Sequence, residues 1–158
     1  MVNAMLPASP SARGFTLVEA VIVMALIAIV VGLAAPGLSN LAVTQQLKNA
    51  SFDLASSLSV ARSEALTRNV EVTVAPSSDD WAHGWTIRDA GGTVLREQPA
   101  YGLIAVSGPQ RVTFTGDGRP SASAGPFAVT ASSADVRYYR CVRLRLNGRP
   151  YVAQGACS

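Results

Sequence analysis

A single carboxylate, Glu19, stands inside an otherwise uncharged apolar run near the start of this 158-residue chain. The run extends from Phe15 to Ala35, and at a helical rise of about 1.5 Å per residue it is about 31 Å long, close to the thickness of a bilayer core. A carboxylate in such a segment costs on the order of a few kcal/mol, so a functional partner is expected for it. If the chain were cut after Gly14, the new amine on Phe15 would be a cation able to pair with Glu19, in its own helix or in a neighbouring one.

The residues before the apolar run leave three interpretations open. Residues 1–14 are polar and end in Arg13-Gly14, directly ahead of the run. They are compatible with a secretory signal peptide cleaved near Ala35, with an uncleaved single-span anchor, or with a leader removed before the run. Glu19 favours the third interpretation, because neither a plain signal peptide nor a plain anchor has a use for a carboxylate.

Residues 14–19, GFTLVE, resemble the cleavage motif of type IV prepilins and pseudopilins, G-F-T-L-x-E. The resemblance implies that a prepilin peptidase cuts after Gly14 and methylates the new N-terminal residue, Phe15. It also implies that Glu19 aids assembly of a filament. Other pilins or pseudopilins, an inner-membrane assembly platform and the peptidase are the partners that follow from it.

Beyond the run, the pattern changes to that of an amphipathic helix. Pro36-Gly37 predicts a kink or break, and from Leu38 to Arg68 apolar residues recur every three or four positions. Asn69 is the predicted stop. The predicted apolar stripe consists of Leu47, Ala50, Leu54, Leu58, Ala61 and Ala65.

After Asn69 the chain consists of short alternating runs separated by turn residues, which predicts antiparallel strands. The fold class is therefore α+β, and the resemblance specifies a pilin-like long helix, transmembrane in its first half, packed on an antiparallel sheet. The predicted organisation is a leader over 1–14, a transmembrane and assembly helix over 15–35, its amphipathic continuation over 36–69 and a β-rich periplasmic head over 70–158. The predicted strands lie near 70–74, 85–88, 94 onwards, 112–114, 127–129, 136–146 and 151–152.

Four further segments resemble the GspH/FimT group of minor pilins: 61–65, 69–74, 81–85 and 114–119. This resemblance implies a minor pilin or pseudopilin, a structural subunit of a type IV pilus-like filament in type II protein secretion or pilus biogenesis. It would be a single-pass protein of the bacterial inner membrane with its head in the periplasm.

The rest of the sequence contains no pattern of side chains typical of catalysis. His83 is the one histidine, so no Ser-His-Asp, Cys-His or metal-ligand spacing exists, and no cofactor, metal or enzymatic activity is predicted. Cys141 and Cys157 are the only cysteines. In an exported chain they predict a disulfide near the C-terminus, with two buried free thiols as the alternative.

The C-terminal segment is strongly basic, since five arginines and no acidic residue follow Asp135. Strand alternation places Arg143 and Arg145 on one face with Cys141, and the opposite face carries Val142, Leu144 and Leu146. One interpretation is a basic sheet face that meets an acidic neighbour in the filament. The other is DNA binding during uptake, which the resemblance to FimT-type pilins implies through a G-R-x-R motif, although this chain has Gly-Arg-Pro-Tyr at 148–151. The candidate DNA-binding residues are Arg140, Arg143, Arg145 and Arg149.

Overall fold

The computed structural model describes residues 15–122, 124–133 and 136–157, without the side chains of residues 34–39 and 133. The predicted leader, with Gly14, and Asp135 lie outside the described residues. The chain divides into two compact units, Met1–Gly37 and Leu38–Ser158. Each unit is described by itself below.

One long helix, α1, spans Leu17–Arg68. Its start is set by Thr16, whose Oγ1 accepts a hydrogen bond from the backbone N–H of Glu19 at 3.2 Å, as in an N-cap. Asn69 follows its last residue with φ 52°, the left-handed conformation that commonly ends helices, so the predicted stop is confirmed. The secondary structure is not interrupted at residues 36 and 37. Proline removes one backbone N–H donor from a helix. The other backbone hydrogen bonds on both sides of it can still form, so the helix continues through this position.

Within the second unit, one side of α1 is buried. Ser51 lies on this side, where its hydroxyl donates to the Leu47 carbonyl at 2.7 Å. The predicted stripe is confirmed and begins one turn earlier, at Val43. The buried apolar residues of the helix are Val43, Leu47, Ala50, Leu54, Leu58, Ala61 and Ala65.

In the part of the chain that the structure describes, eight strands follow the helix and form two antiparallel four-stranded sheets, ordered β3-β2-β1-β5 and β4-β6-β7-β8. The predicted α+β class, a long helix with antiparallel strands, is confirmed, and the strands divide between two sheets where the prediction had one. The strands are β1 Val72–Pro76, β2 Trp85–Asp89, β3 Val94–Gln98, β4 Ile104–Ser107, β5 Val112–Phe114, β6 Phe127–Ser133, β7 Val136–Leu144 and β8 Pro150–Gln154, and a 3-10 helix spans Trp81–His83.

The two sheets and the second half of α1 share one apolar core. Between the sheets, the Trp81 ring meets the Phe127 ring edge-on with centroids 4.9 Å apart, a favourable aromatic geometry. The loop after β3 is tied to the helix by Tyr101, whose hydroxyl donates to Asp53 Oδ2 at 2.6 Å. Burial and the Asp53 carboxylate together raise the pKa of Tyr101, so this hydroxyl keeps its proton and remains a donor.

Candidate functional site

The first unit presents apolar side chains on all sides of its helix. Phe15 is 81% exposed, and the large apolar residues from Leu17 to Leu33 are between 44% and 81% exposed. A helix that is apolar all round is normally buried by something outside its own segment. The exposed apolar side chains of the N-terminal segment are therefore expected to be buried against something outside this segment.

Glu19 lies in the first turn of this helix. With Thr16 as the cap, the segment Thr16-Leu17-Val18-Glu19 has the S/T-x-x-E spacing of a capping box. A carboxylate at this place is also favoured by the positive end of the helix dipole. This position of Glu19 in a capping-box pattern was not predicted from the sequence, although the spacing is visible there.

Among the described residues, no helical stretch is both long enough and apolar enough to cross a membrane. The predicted span over 15–35 ends in residues 34 and 35, whose side chains lie outside the described part of the chain.

The basic C-terminal segment does not place its candidate arginines on one face. Strand β7 alternates so that Val142 enters the core, and Arg140, two residues earlier, lies on the same side with its guanidinium 5.9 Å from the centre of the Phe52 ring on α1. Arg143 lies on the opposite side, where its Nε is 3.4 Å from Cys141 Sγ. The candidate DNA-binding arginines therefore do not all lie on one face of the sheet. DNA binding by these residues stays a prediction.

Strand β7 ends at Leu144, two residues before the predicted end at Leu146. Residues 145–148 form a turn, closed by hydrogen bonds from Arg145 N–H to Arg149 O at 2.9 Å and from Gly148 N–H to Arg145 O at 2.8 Å. Leu146 was predicted to share the apolar face with Leu144, and this is wrong, because the turn leaves it 98% exposed. The Arg145 guanidinium lies 5.4 Å from the centre of the Tyr151 ring.

The predicted disulfide is present between Cys141 and Cys157. It joins strand β7 to the residues after β8, and Cys141 is buried. The residues after β8 are therefore held against strand β7.

Arg62 on α1 holds two turns of the head in place through its guanidinium, a role that was not predicted from the sequence. Its Nε donates to the Gly118 carbonyl at 3.0 Å and to the Asn147 carbonyl at 3.2 Å. A partly buried guanidinium on α1 thus connects the helix to the turn after β5 and to the turn between β7 and β8. With Ser59, Arg149 and Pro150 it lines a small cavity of about 220 Å³.

Replacing Arg62 by alanine should lower the free energy of unfolding by about 2 kcal/mol, because two carbonyls lose a charged donor. Urea unfolding followed by the fluorescence of the buried Trp81 and Trp85 would measure this change. The control is Arg68→Ala, which removes partly exposed ion pairs to Glu64 and, at 3.9 Å, to Asp89 and should change the free energy by no more than about 1 kcal/mol. Equal effects of the two substitutions would contradict the role given to Arg62.

The acidic loop ahead of the 3-10 helix has a structural role. Asp80 Oδ1 accepts the backbone N–H of Ala82 at 2.9 Å, which caps the short helix, and His83 Nδ1 lies 3.7 Å from Asp80 Oδ2 at the surface. Within the described residues, no group of three or more histidine, cysteine, aspartate or glutamate side chains could hold a metal ion.

Two family models match the chain. The model described as type II transport protein GspH matches residues 50–148, and the model described as the prokaryotic N-terminal methylation motif matches residues 9–35. The chain belongs to the GspH family. It is a minor pilin or pseudopilin of the GspH/FimT type, as the sequence resemblance predicted.

The fold of this GspH-family chain is also that of a solved pilin. Two crystal structures of the type IV minor pilin FimU from Pseudomonas aeruginosa strain PAO1 are similar to it. The first, in space group P21, is 20% identical with a TM-score of 0.56 and covers 73% of this chain and 95% of FimU. The second, in space group P65, is 20% identical with a TM-score of 0.53 and covers 70% and 97%. No curated protein sequence matches this chain significantly.

The two family matches correspond to different structural parts of the chain. The methylation-motif match contains Phe15 and Glu19, together with the exposed apolar side chains of the first unit. The GspH match begins at Ala50 on the buried side of α1 and ends at Gly148, so it contains Arg62 and both of its acceptors. The methylation-motif match thus covers the N-terminal segment and the GspH match covers the contacts that hold the head together, and the family and fold are those of structural pilins.

Proposed function

We propose that this GspH-family chain is a structural subunit of a type IV pilus-like filament, which acts in type II protein secretion or in pilus biogenesis. The observation that carries the proposal is the methylation motif on a helix whose apolar side chains are exposed on all sides. Such a helix is stable in water only if lipid or other apolar helices cover it. A filament built around a bundle of such helices supplies that cover.

In this proposal, processing after Gly14 creates the charge that Glu19 needs. The new amine on Phe15 would be a cation four residues from the Glu19 carboxylate, and methylation would leave it basic. In an apolar bundle, Coulomb attraction between two unit charges is much stronger than in water. Pairing between neighbouring subunits would therefore select one axial register, because a shifted register leaves the carboxylate unpaired and desolvated.

Before assembly, the same apolar segment would hold the subunit in the bacterial inner membrane as a single span over 15–35, with the head in the periplasm. The Cys141–Cys157 disulfide supports an oxidising location for the head. Prepilin peptidase would process the precursor, and the assembly platform and other pilins would be its further partners. The role of this chain is to fill a position in the filament, with no reaction of its own.

A tagged full-length chain, expressed in its own host, tests this function. Filaments sheared from the cells, or pseudopili extracted from the envelope, should contain the tag together with other pilins. The control is a chain with Gly14→Leu, which blocks cleavage in this scheme and should remain in the membrane fraction. Absence of the tagged chain from filaments that contain the other pilins would overturn the proposal.

A further inference from the structure

Three adjoining shallow surface cavities, all open to solvent, surround the end of β7 and the turn that follows it. Their volumes are about 520, 350 and 220 Å³, and Leu144 lines all three. We name them together the β7–β8 groove. The residues that define it are Arg119, Arg143, Leu144, Arg145, Leu146 and Tyr151.

The β7–β8 groove is positively charged. Three arginines line it and, among the described residues around the three cavities, none is acidic. A carboxylate lies close to one of these arginines, since Asp117 Oδ2 is 3.8 Å from Arg119 Nε. Asp117 also accepts a hydrogen bond from the Thr115 hydroxyl, which lowers the pKa of Asp117 and keeps this carboxylate charged beside Arg119. With three guanidinium groups and this one nearby carboxylate, the groove carries a net positive charge and attracts a negatively charged ligand.

The same groove exposes an apolar side chain on a well-formed turn. Leu146 is 98% exposed, and the turn that carries it is closed by two backbone hydrogen bonds. Gly148 allows this turn through its φ of +77°, where most residues with a side chain would be strained. The exposure of Leu146 is thus fixed by the local structure, and covering this side chain would be favourable.

We propose that the β7–β8 groove binds an acidic segment of a neighbouring protein subunit, whose apolar side chain covers Leu146 while its carboxylates meet Arg119 and Arg145. The proposal rests on the proposed function, because the neighbour is another subunit of the filament. Guanidinium groups bind carboxylates through paired hydrogen bonds. The mixture of arginines with Leu144 and Leu146 fits a peptide that offers both kinds of side chain.

A nucleic acid fits this surface less well. A strand of phosphates needs a continuous row of cations and open aromatic rings for stacking. In this chain Arg140 lies on the helix side of the sheet, and Arg149 lines a different cavity with Arg62. Tyr151 is already in contact with the Arg145 guanidinium, and Leu146 lies between the basic residues. These features favour an acidic protein segment over a nucleic acid as the ligand of the β7–β8 groove.

Site-specific photo-cross-linking in intact cells tests the proposal. A photoreactive residue replaces Leu146 in the full-length chain, and mass spectrometry identifies the cross-linked peptide. The expected result is a peptide of a pilin or pseudopilin with at least two acidic residues beside the attachment point. The same label at Ala90, an exposed turn residue outside the groove, is the positional control and should not capture this peptide.

A charge reversal completes the experiment. Arg145→Glu should reduce the yield of the Leu146 cross-link by about tenfold, because a rim carboxylate repels an acidic ligand. Arg96→Glu makes the same change of charge on exposed strand β3 and should leave the yield unchanged. A cross-link to nucleic acid, to a segment without acidic residues, or of equal yield in both variants would overturn the proposal, and so would the absence of any cross-link. The content of the filaments is measured in parallel. A chain that is present in filaments but gives no such cross-link would overturn the groove proposal alone, whereas a chain absent from filaments would overturn the proposed function.

Discussion

The substitution Glu19→Ala is expected to reduce the amount of this chain in purified filaments by at least about tenfold, the effect of losing one desolvated charge pair. Its amount in the membrane fraction should not fall, because alanine makes the segment more apolar and easier to insert. The physical reason is that a neighbouring subunit's Phe15 amine would lose its partner in the helical bundle. Quantitative immunoblotting of filament and membrane fractions would measure both amounts.

A second variant separates the two roles of Glu19. Glutamine can replace glutamate in a capping box, so Glu19→Gln keeps the cap with Thr16 but removes the charge. If charge pairing drives assembly, Glu19→Gln should be excluded from filaments nearly as strongly as Glu19→Ala. Thr16→Ala is the complementary control, since it weakens the cap and leaves the carboxylate, and it should still be incorporated. Normal incorporation of Glu19→Gln would contradict the pairing mechanism.

Removal of the Cys141–Cys157 disulfide should cost the head about 3 kcal/mol in its free energy of unfolding. The bridge closes a loop with a sequence separation of 16 residues, and this estimate comes from the conformational entropy that such a loop removes from the unfolded chain. Urea unfolding of the full-length chain in detergent, followed by tryptophan fluorescence, would compare the native chain with Cys157→Ser. Cys157 is partly exposed, so this substitution leaves no large cavity.

A matched variant tests whether the loss comes from the covalent bond. Cys157→Ala should destabilise the head as much as Cys157→Ser does, because both remove the bridge and keep the buried Cys141. Under reducing conditions, the native chain should fall to the stability of these variants. A native chain that loses less than about 1 kcal/mol on reduction would contradict the contribution assigned to the disulfide.

The helix is well predicted from the sequence, because the apolar repeat and the stop signal that define it involve residues that are close together in the chain. The stripe from Leu47 to Ala65 follows a repeat of three to four residues and is buried as expected. The helix ends at Asn69, which tolerates the left-handed conformation that this position requires. Both features depend only on neighbours within a few turns.

The sequence does not predict the division into two sheets or the end of β7. Alternation indicates which face a side chain takes within a strand, but it does not indicate where the strand stops. For this reason Leu146 was placed on the apolar face with Leu144, whereas a turn exposes it. Strand β4, Ile104–Ser107, was missed because only Ile104 and Val106 alternate in it.

Contacts over long sequence separations are not predictable from residue types alone. Arg62 looks like any polar residue between apolar positions of α1, and both of its acceptors are backbone carbonyls, Gly118 and Asn147. A backbone carbonyl is present in every residue, so no side-chain pattern marks the partner. The separation of Arg140 from Arg143 follows from strand alternation, but the contact of Arg140 with Phe52 becomes visible only when the sheet is placed against α1.

The mass of the N-terminal peptide of the mature protein tests the central claim most directly. In filaments or in the membrane fraction, the account predicts a protein that begins at Phe15 with one methyl group on its amine. Residues 1–14 still attached, or a first residue downstream of Ala35, would contradict it. In either case Glu19 would lack the cation that this account assigns to it.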